Sequence, residues 1–196
     1  MRPFVPLRTE RLLLRAFRRE DRAPFAELNA DPEVRRYFPG TLAKEESDAF
    51  ATRIEQHFEA HGFGFFAVEV PGVSPFVGFS GLAIPSFEAP FLPAVEIGWR
   101  LARAHWGKGY ASEAALGALD FAFDSLGLDE VVSFTVPANR KSRAVMERIG
   151  MRHDPDRDFD HPNLPEGHAL QRHVFYAITA SDHRARRSPA PPPSVR

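Results

Sequence analysis

Trp106-Gly107-Lys108-Gly109-Tyr110-Ala111-Ser112 stands between an apolar run, Val95 to Leu101, and a strongly helical stretch, Glu113 to Leu126. That placement decides the fold reading. A glycine-rich turn that ends a strand and opens a helix leaves several main-chain N–H groups unpartnered, with the helix dipole behind them. Such a turn is a ready seat for a pyrophosphate, so the stretch points to a nucleotide-containing ligand. It is not a Walker loop, because no Ser or Thr follows Lys108 at the required place and the glycines are wrongly spaced. Nor does it have the three glycines of a dinucleotide fingerprint. At this level the alternative stays open that Gly107 and Gly109 merely permit a tight turn.

Downstream, Leu116, Leu119, Phe123 and Leu126 stripe one helix face, and Gly127 stops it. Val131 to Val136 reads as a short buried strand, Asn139 to Ile149 as a helix ended by Gly150, and His173 to Ile178 as a last strand after a polar loop, Asp154 to Gly167. Upstream, the pattern predicts a strand at Arg11 to Phe17 and a helix at Arg19 to Ala30. A short helix restarts at Asp31-Pro32-Glu33, and a longer one runs from Leu42 to His61, with Phe50, Ile54 and Phe58 on one face. Three strands follow: Phe63 to Val70, Phe76 to Ile84 and Ala94 to Leu101, the last two separated by an irregular loop, Pro85 to Pro93. Consecutive strands followed by a strand–helix–strand crossover imply one α/β domain, a mixed and mostly antiparallel sheet with helices on both faces. The domain is expected over residues 1–180, with 181–196, rich in Arg and Pro, as a disordered tail.

The composition narrows the function classes. In 196 residues the net charge is −1, which gives no basic surplus for nucleic acid. With no cysteine there is no disulfide, thiol nucleophile or thiolate metal site. The first residues lack the apolar core of a leader, and no run is long enough to span a membrane, so a cytoplasmic protein without a membrane partner is expected. His161, His168 and His173 cluster late in the chain, but their spacing fits no zinc motif, so no metal is expected.

Three blocks then carry a resemblance: Glu96-Ile-Gly-Trp99, Trp106-Gly-Lys-Gly-Tyr-Ala111, and Asn139-x-x-Ser142 followed by Glu147-x-x-Gly150-Met151. In this order they resemble the Gcn5-related N-acetyltransferase (GNAT) superfamily. Leu7-Arg-Thr-Glu-Arg-Leu-Leu-Leu-Arg15 and Asp31-Pro-Glu-Val34 are further similar to its ribosomal-protein N-terminal (RimJ/RimL-like) branch. The likeness covers roughly residues 7 to 179. It implies acetyl-CoA lying across the helix N-terminus, held by Trp106, Gly107, Lys108, Gly109, Tyr110, Ala111 and Ser112. Its arm would run beside Trp99 and Leu101 and meet Asn139 and Ser142. The family's phosphate-loop pattern opens on Arg or Gln; here Trp106 takes that place, while Gly109 and Ala111 match. The resemblance also implies a strand bulge near Trp99 to Leu101 that aims an N–H at the thioester carbonyl. A homodimer is common among similar proteins.

Acyl transfer to an amine needs a neutral nucleophile, a polarised carbonyl and a proton for the leaving thiolate. Holding a Lys amine neutral at pH 7 costs about 4.6 kcal/mol, against roughly 1 kcal/mol for an α-amine. Glu96, on the strand feeding the loop among Ala94, Val95, Ile97 and Trp99, is the candidate base, since desolvation there would raise its pKa. The competing reading pairs it with an Arg across the sheet. Glu113 suits the first turn of its helix as a dipole-compensating residue. Ser142 is the candidate acid: relatives carry a Tyr four residues further along this helix, where this chain has Met146. A Ser in a first turn also commonly just bonds to backbone. The expected reaction is direct acetyl transfer to a primary amine, a protein N-terminus or a small molecule. An acyl-CoA sensor or interaction module without turnover, or use of a longer acyl-CoA, remains the alternative. The acceptor pocket is expected from Phe38-Pro39-Gly40, Pro85 to Pro93 and Asp154 to Gly167.

Overall fold

The computed structural model describes residues 5–187. The strands, in chain order, are β1 (Leu7–Arg8), β2 (Leu13–Arg15), β3 (Phe65–Val70), β4 (Ser74–Ala83), β5 (Glu96–Leu101), β6 (Glu130–Thr135), β7 (Arg152–His153), β8 (Phe159–Asp160) and β9 (Arg172–Thr179). The α-helices are α1 (Arg22–Ala30), α2 (Lys44–His61), α3 (Tyr110–Asp120), α4 (Arg140–Arg148) and α5 (Ala180–Arg187). The strands form one mixed sheet in the order β1-β2-β3-β4-β5-β6-β9-β7, with β8 pairing β9 off that path. Every neighbouring pair is antiparallel except β5 and β6, which the α3 crossover makes parallel.

Two cores cover the two faces. One gathers the apolar side of α3 and α4 (Ala115, Leu119, Met146, Ile149) against Leu14, Phe66, Ile97, Val131 and Ile178. The other packs Phe25, Leu28, Ala51 and Ile54 of α1 and α2 on Ala67, Phe76 and Phe79. Alternation along β5 therefore sends Ile97, Trp99 and Leu101 towards α3, and Glu96, Gly98 and Arg100 to the α1/α2 face. The same face carries Phe134 of β6 and Phe175 of β9, which join Phe87, Phe91, Phe159, His161 and His173 in an aromatic cluster.

Several expected boundaries shift for identifiable reasons. Residues 32–37 turn rather than form a helix: the Asp31 carboxylate accepts from the N–H groups of Glu33 (2.8 Å) and Val34 (3.3 Å), but Pro39 and Gly40 follow too soon for a second turn. The strand expected at 11–17 shortens to β2, which folds back on β1. The helix after the glycine turn starts three residues early, at Tyr110, and its end widens into a π-type turn at Phe121–Ser125. The loop 154–167 holds β8, whose residues pair with His173 and Arg172.

The disorder expected from Ser181 onward is corrected for 181–187, which belong to α5; residues 188–196 lie outside the described residues, as do 1–4. The basic run is helical because each charge finds a partner. Arg187 pairs with Asp124 at 2.6 Å, Arg186 donates to the Arg148 carbonyl at 2.7 Å, and His183, buried against Phe123, sits 2.7 Å from Asp120. Truncation after Thr179 is expected to lower Tm by about 5–10 °C in a thermal melt, the loss of one small packed element.

Candidate active site

The glycine turn has the geometry its sequence implies. Gly107 and Gly109 have φ of 73° and 83°, values that L side chains resist, and Gly109 stands at the N-cap of α3. The first main-chain bond back into the turn is from Glu113 N–H to the Gly109 carbonyl (3.1 Å). The N–H groups of Gly107, Lys108, Gly109, Tyr110, Ala111 and Ser112 have no partner among the described residues, so they form an open fan of donors. Trp106 contributes neither of its own donors to that fan. Its backbone N–H bonds to the Arg103 carbonyl (3.1 Å), and its indole Nε1 donates to the Leu101 carbonyl (2.7 Å). The residue in the Arg/Gln place thus buttresses the turn from behind.

The turn is anchored from the other end of the chain. Arg11 donates to the Lys108 carbonyl (3.0 Å) and pairs with Glu113 (2.6 Å), which also accepts from Thr9 Oγ1 (2.6 Å). Burial works to raise the pKa of Glu113, but the bonds from Thr9 and Arg11 outweigh it and hold the carboxyl below its usual value. Glu113 is thus a tether whose charged form Thr9 and Arg11 favour, which adds to its role at the helix dipole. Sequence reasoning missed Arg11, Lys141 and Arg148. Lys141 Nζ lies 4.1 Å from the centroid of the Trp106 ring, and Arg148 donates to Ser112 Oγ (3.1 Å), so α4 presents cations to the same rim.

Between the turn and Glu96 the sheet opens. Parallel pairing of β5 with β6 is registered only at Glu96 and Val132, where Val132 N–H reaches the Val95 carbonyl (3.0 Å). Ser133 Oγ donates to the Ile97 carbonyl (2.9 Å), and beyond it no bond joins the two strands among the described residues. By alternation the N–H and C=O of Trp99 and the N–H of Leu101 face this gap. The expected bulge is not there: β4 and β5 run in unbroken register from Gly78↔Leu101 to Ala83↔Glu96. Free main-chain groups arise instead because β6 leaves β5.

Glu96 sits where the strands part. No ion pair or protein hydrogen bond reaches its carboxylate among the described residues, so the cross-sheet Arg partner weighed from sequence does not exist. The side chain keeps partial solvent contact, yet the surrounding protein desolvates it and pushes its pKa up to about 8. A carboxyl at that pKa is half ionised near pH 8 and about one-tenth ionised at pH 7, so it can take and release protons in this range.

Across the gap, Asn139 caps α4. Its Oδ1 accepts from Ser142 N–H (3.3 Å), and its Nδ2 donates to Thr135 Oγ1 (2.9 Å), so much of the amide is spent on positioning α4. The Ser142 hydroxyl, partly exposed, makes no hydrogen bond among the described residues. One turn on, Met146 is buried in the core, so no phenol stands there. Tyr176 is also buried, its hydroxyl between Arg143 (3.1 Å) and Glu147 (3.1 Å). Among the described residues no group of three His, Cys, Asp or Glu could hold a metal. His161 and His173 instead stack within the aromatic cluster, and burial lowers the pKa of both.

A mixed sheet opened between two parallel strands, with a donor-rich turn at the mouth and a desolvated carboxylate at the fork, defines an acyltransferase of the α/β class. The chain belongs to the acetyltransferase (GNAT) domain family, whose model matches residues 11–152. It is similar to the FsC-acetyl coenzyme A-N(2)-transacetylase of Aspergillus fumigatus, 32% identical over 90% of this chain and 77% of that protein. It is also similar to the uncharacterized protein YkkB of Bacillus subtilis, 31% identical over 73% of this chain and 83% of that one. A GNAT-family acetyltransferase structure from Bacillus anthracis superposes with a TM-score of 0.74 at 29% identity, covering 90% of this chain and 99% of its own. The family uses acetyl-CoA. No helix among the described residues is long and apolar enough to cross a membrane.

Proposed function

We propose that the protein transfers the acetyl group of acetyl-CoA directly to a primary amine, with the pyrophosphate on the N–H fan of 107–112 and the pantetheine arm in the gap between β5 and β6. The observation that carries this reading is the unpartnered Glu96 at the fork, its pKa near 8, beside main-chain groups that face the gap. The amine arrives as an ammonium. Glu96 takes one proton from it and passes that proton to solvent; the nitrogen then attacks the thioester carbon. As the C–S bond breaks, the second nitrogen proton goes to the thiolate by way of the Ser142 hydroxyl, leaving an N-acetyl amide and CoA thiol. Arg11, Lys108 and Lys141 supply positive potential around the phosphates. The acceptor enters on the α1/α2 face, between Phe38-Pro39-Gly40 and the aromatic cluster of Phe87, Phe134 and Phe159.

The motif resemblance to the ribosomal-protein N-terminal acetyltransferase branch favours an α-amine, whose low deprotonation cost suits a base of this strength. The name of the Aspergillus relative, an acetyl-CoA N(2)-transacetylase, supports the same donor. Purified protein given acetyl-CoA and a panel of α-amines, ε-amines and small amines should release CoA thiol with at least one of them. Tight CoA binding with no release on any amine would favour the sensor reading. Ser142→Ala should lower kcat about 10-fold to 100-fold with little change in Tm, because the lost hydroxyl has no partner among the described residues. An unchanged kcat would remove Ser142 from the proton path and leave it as a helix residue.

A further inference from the structure

Two arginines on the acceptor face have no carboxylate. Arg100 and Arg35 are each 9% exposed, and neither forms an ion pair among the described residues. Arg100 Nη1 donates to Asn29 Oδ1 (2.6 Å), its Nε is sealed from solvent without a partner, and its Nη2 is neither hydrogen-bonded nor sealed. Arg35 spends its Nε on the Gly40 carbonyl, and its terminal nitrogens have no hydrogen-bond partner among the described residues. The two guanidinium groups lie over one ring, that of Phe38, at 4.9 Å and 4.2 Å from its centroid. Phe50 and Phe79 also lie under Arg100, at 5.8 Å and 5.2 Å. Burial, then the charge of Arg35, pushes the pKa of Arg100 down to about 9. Burial likewise lowers Arg35, and Glu46 offsets part of that without reaching ion-pair distance. Two like charges are thus held close together and desolvated, with donors left over. A structural ion pair would have supplied an acid.

The position of the pair relative to Glu96 gives it a use. Glu96, Gly98 and Arg100 alternate on the same face of β5, and Gly98 between them is partly exposed, with the Phe65 ring lying 3.2 Å from where a Cβ would stand. We propose that the acceptor is an amine bearing a carboxylate, held by the free ends of Arg35 and Arg100 while its amino group meets Glu96. This rests on the acetyl-transfer reading of the same cleft. Four residues of strand separate the two ends, about 13 Å between Cα atoms. The carboxylate therefore lies within about 13 Å of the amine, a span that up to about four extended residues or a small ω-amino acid can fill. A planar, two-pronged guanidinium suits a carboxylate, and a stacked aromatic keeps it from turning away.

The test compares kcat/KM, read as CoA thiol release, for matched pairs. Ala-Ala-Asp amide against Ala-Ala-Asn amide forms the peptide arm, and 6-aminohexanoate against 6-aminohexanamide the small-molecule arm. The carboxylate member should be preferred tenfold or more in at least one arm, and the arm that shows it assigns a chain terminus or a free amino acid as the source. In Arg35→Met and Arg100→Met the ratio within each pair should fall towards one. Should a variant fail to fold, the native protein alone still decides. N-acetyl-Ala-Ala-Asp amide must then inhibit competitively against the amine at a concentration at least tenfold lower than its Asn counterpart. Equal turnover of both members in both arms, or a preference that survives in both folded variants, overturns the anion site and leaves acetyl transfer standing. No thiol release with any of the four amines, in protein that also fails to bind acetyl-CoA, overturns both.

Discussion

Replacing Glu96 with Gln is expected to cut kcat/KM for the amine by about 10²-fold to 10⁴-fold while leaving CoA affinity unchanged. The carboxylate has no partner to lose among the described residues, and the amide fills nearly the same volume, so the substitution removes only the proton acceptor. The pH profile identifies it. With a pKa near 8, Glu96 must be ionised to act, so below pH 8 activity falls as protons return to it. The amine binds as an ammonium and gives its proton to Glu96. The native enzyme should therefore show a slope of one in log(kcat/KM) that breaks near pH 8 whatever the amine. Glu96→Gln must capture the neutral amine, so its break should follow the pKa of the amine. A Gln variant that keeps the native break near pH 8 for amines of different pKa would remove Glu96 from the reaction.

The same substitution should act on stability with the opposite sign. A carboxyl with a folded-state pKa of about 8 against an ordinary value of 4.5 holds its proton more tightly when folded. Between those two values the native state binds more protons than the unfolded one, so stability falls as pH rises through the window and is flat above it. Gln removes that penalty. The Tm advantage of Glu96→Gln over the native chain should be absent near pH 4.5, grow to about pH 8 and then level. Gain in stability with loss of turnover is the pattern of a strained catalytic group.

Much of this arrangement was legible in local sequence, and the failures have a common cause. The glycine turn, the β5 and β6 strands and the Asn139 helix start could be read because each depends on residues within a few positions. Met146 announced the missing phenol in the same way. What eluded the sequence depends on partners far along the chain. Arg11 and Glu113 meet across more than a hundred residues, and nothing in their spacing marks the tether. The eight residues of α5 look like a solvated basic run until Asp120, Asp124 and a pocket beside Phe123 are placed under them. The buried state of Arg35 and Arg100 is equally invisible, since both sit in segments with ordinary charge, and only the packing of Phe38 between them reveals it. The free edge of β5 was expected from a bulge and comes from the departure of β6, a choice the register makes and the composition does not.

Gly109→Val is expected to weaken CoA binding about 10-fold to 100-fold in a calorimetric titration, the largest effect of any single change in the turn. Two separate costs add. At φ of 83° a β-branched residue is strained by roughly 1–3 kcal/mol. A Cβ at that position would also lie 3.2 Å from Arg11 Nη2, whose guanidinium is fixed by the Lys108 carbonyl and Glu113 and cannot simply swing away. The turn has to yield, and with it the N–H groups of Lys108, Gly109 and Tyr110 lose their common aim. Gly107 provides the control. Its φ of 73° is equally positive, but a Cβ there meets nothing within 4 Å, so Gly107→Ala carries the backbone cost alone, about fivefold in affinity. Arg11→Met, which frees the space beside Gly109 but releases the tether, should itself weaken CoA and should not restore the Val variant. If Gly109→Val binds CoA as tightly as the native chain, the donors of this turn do not hold the diphosphate, and the cofactor lies elsewhere.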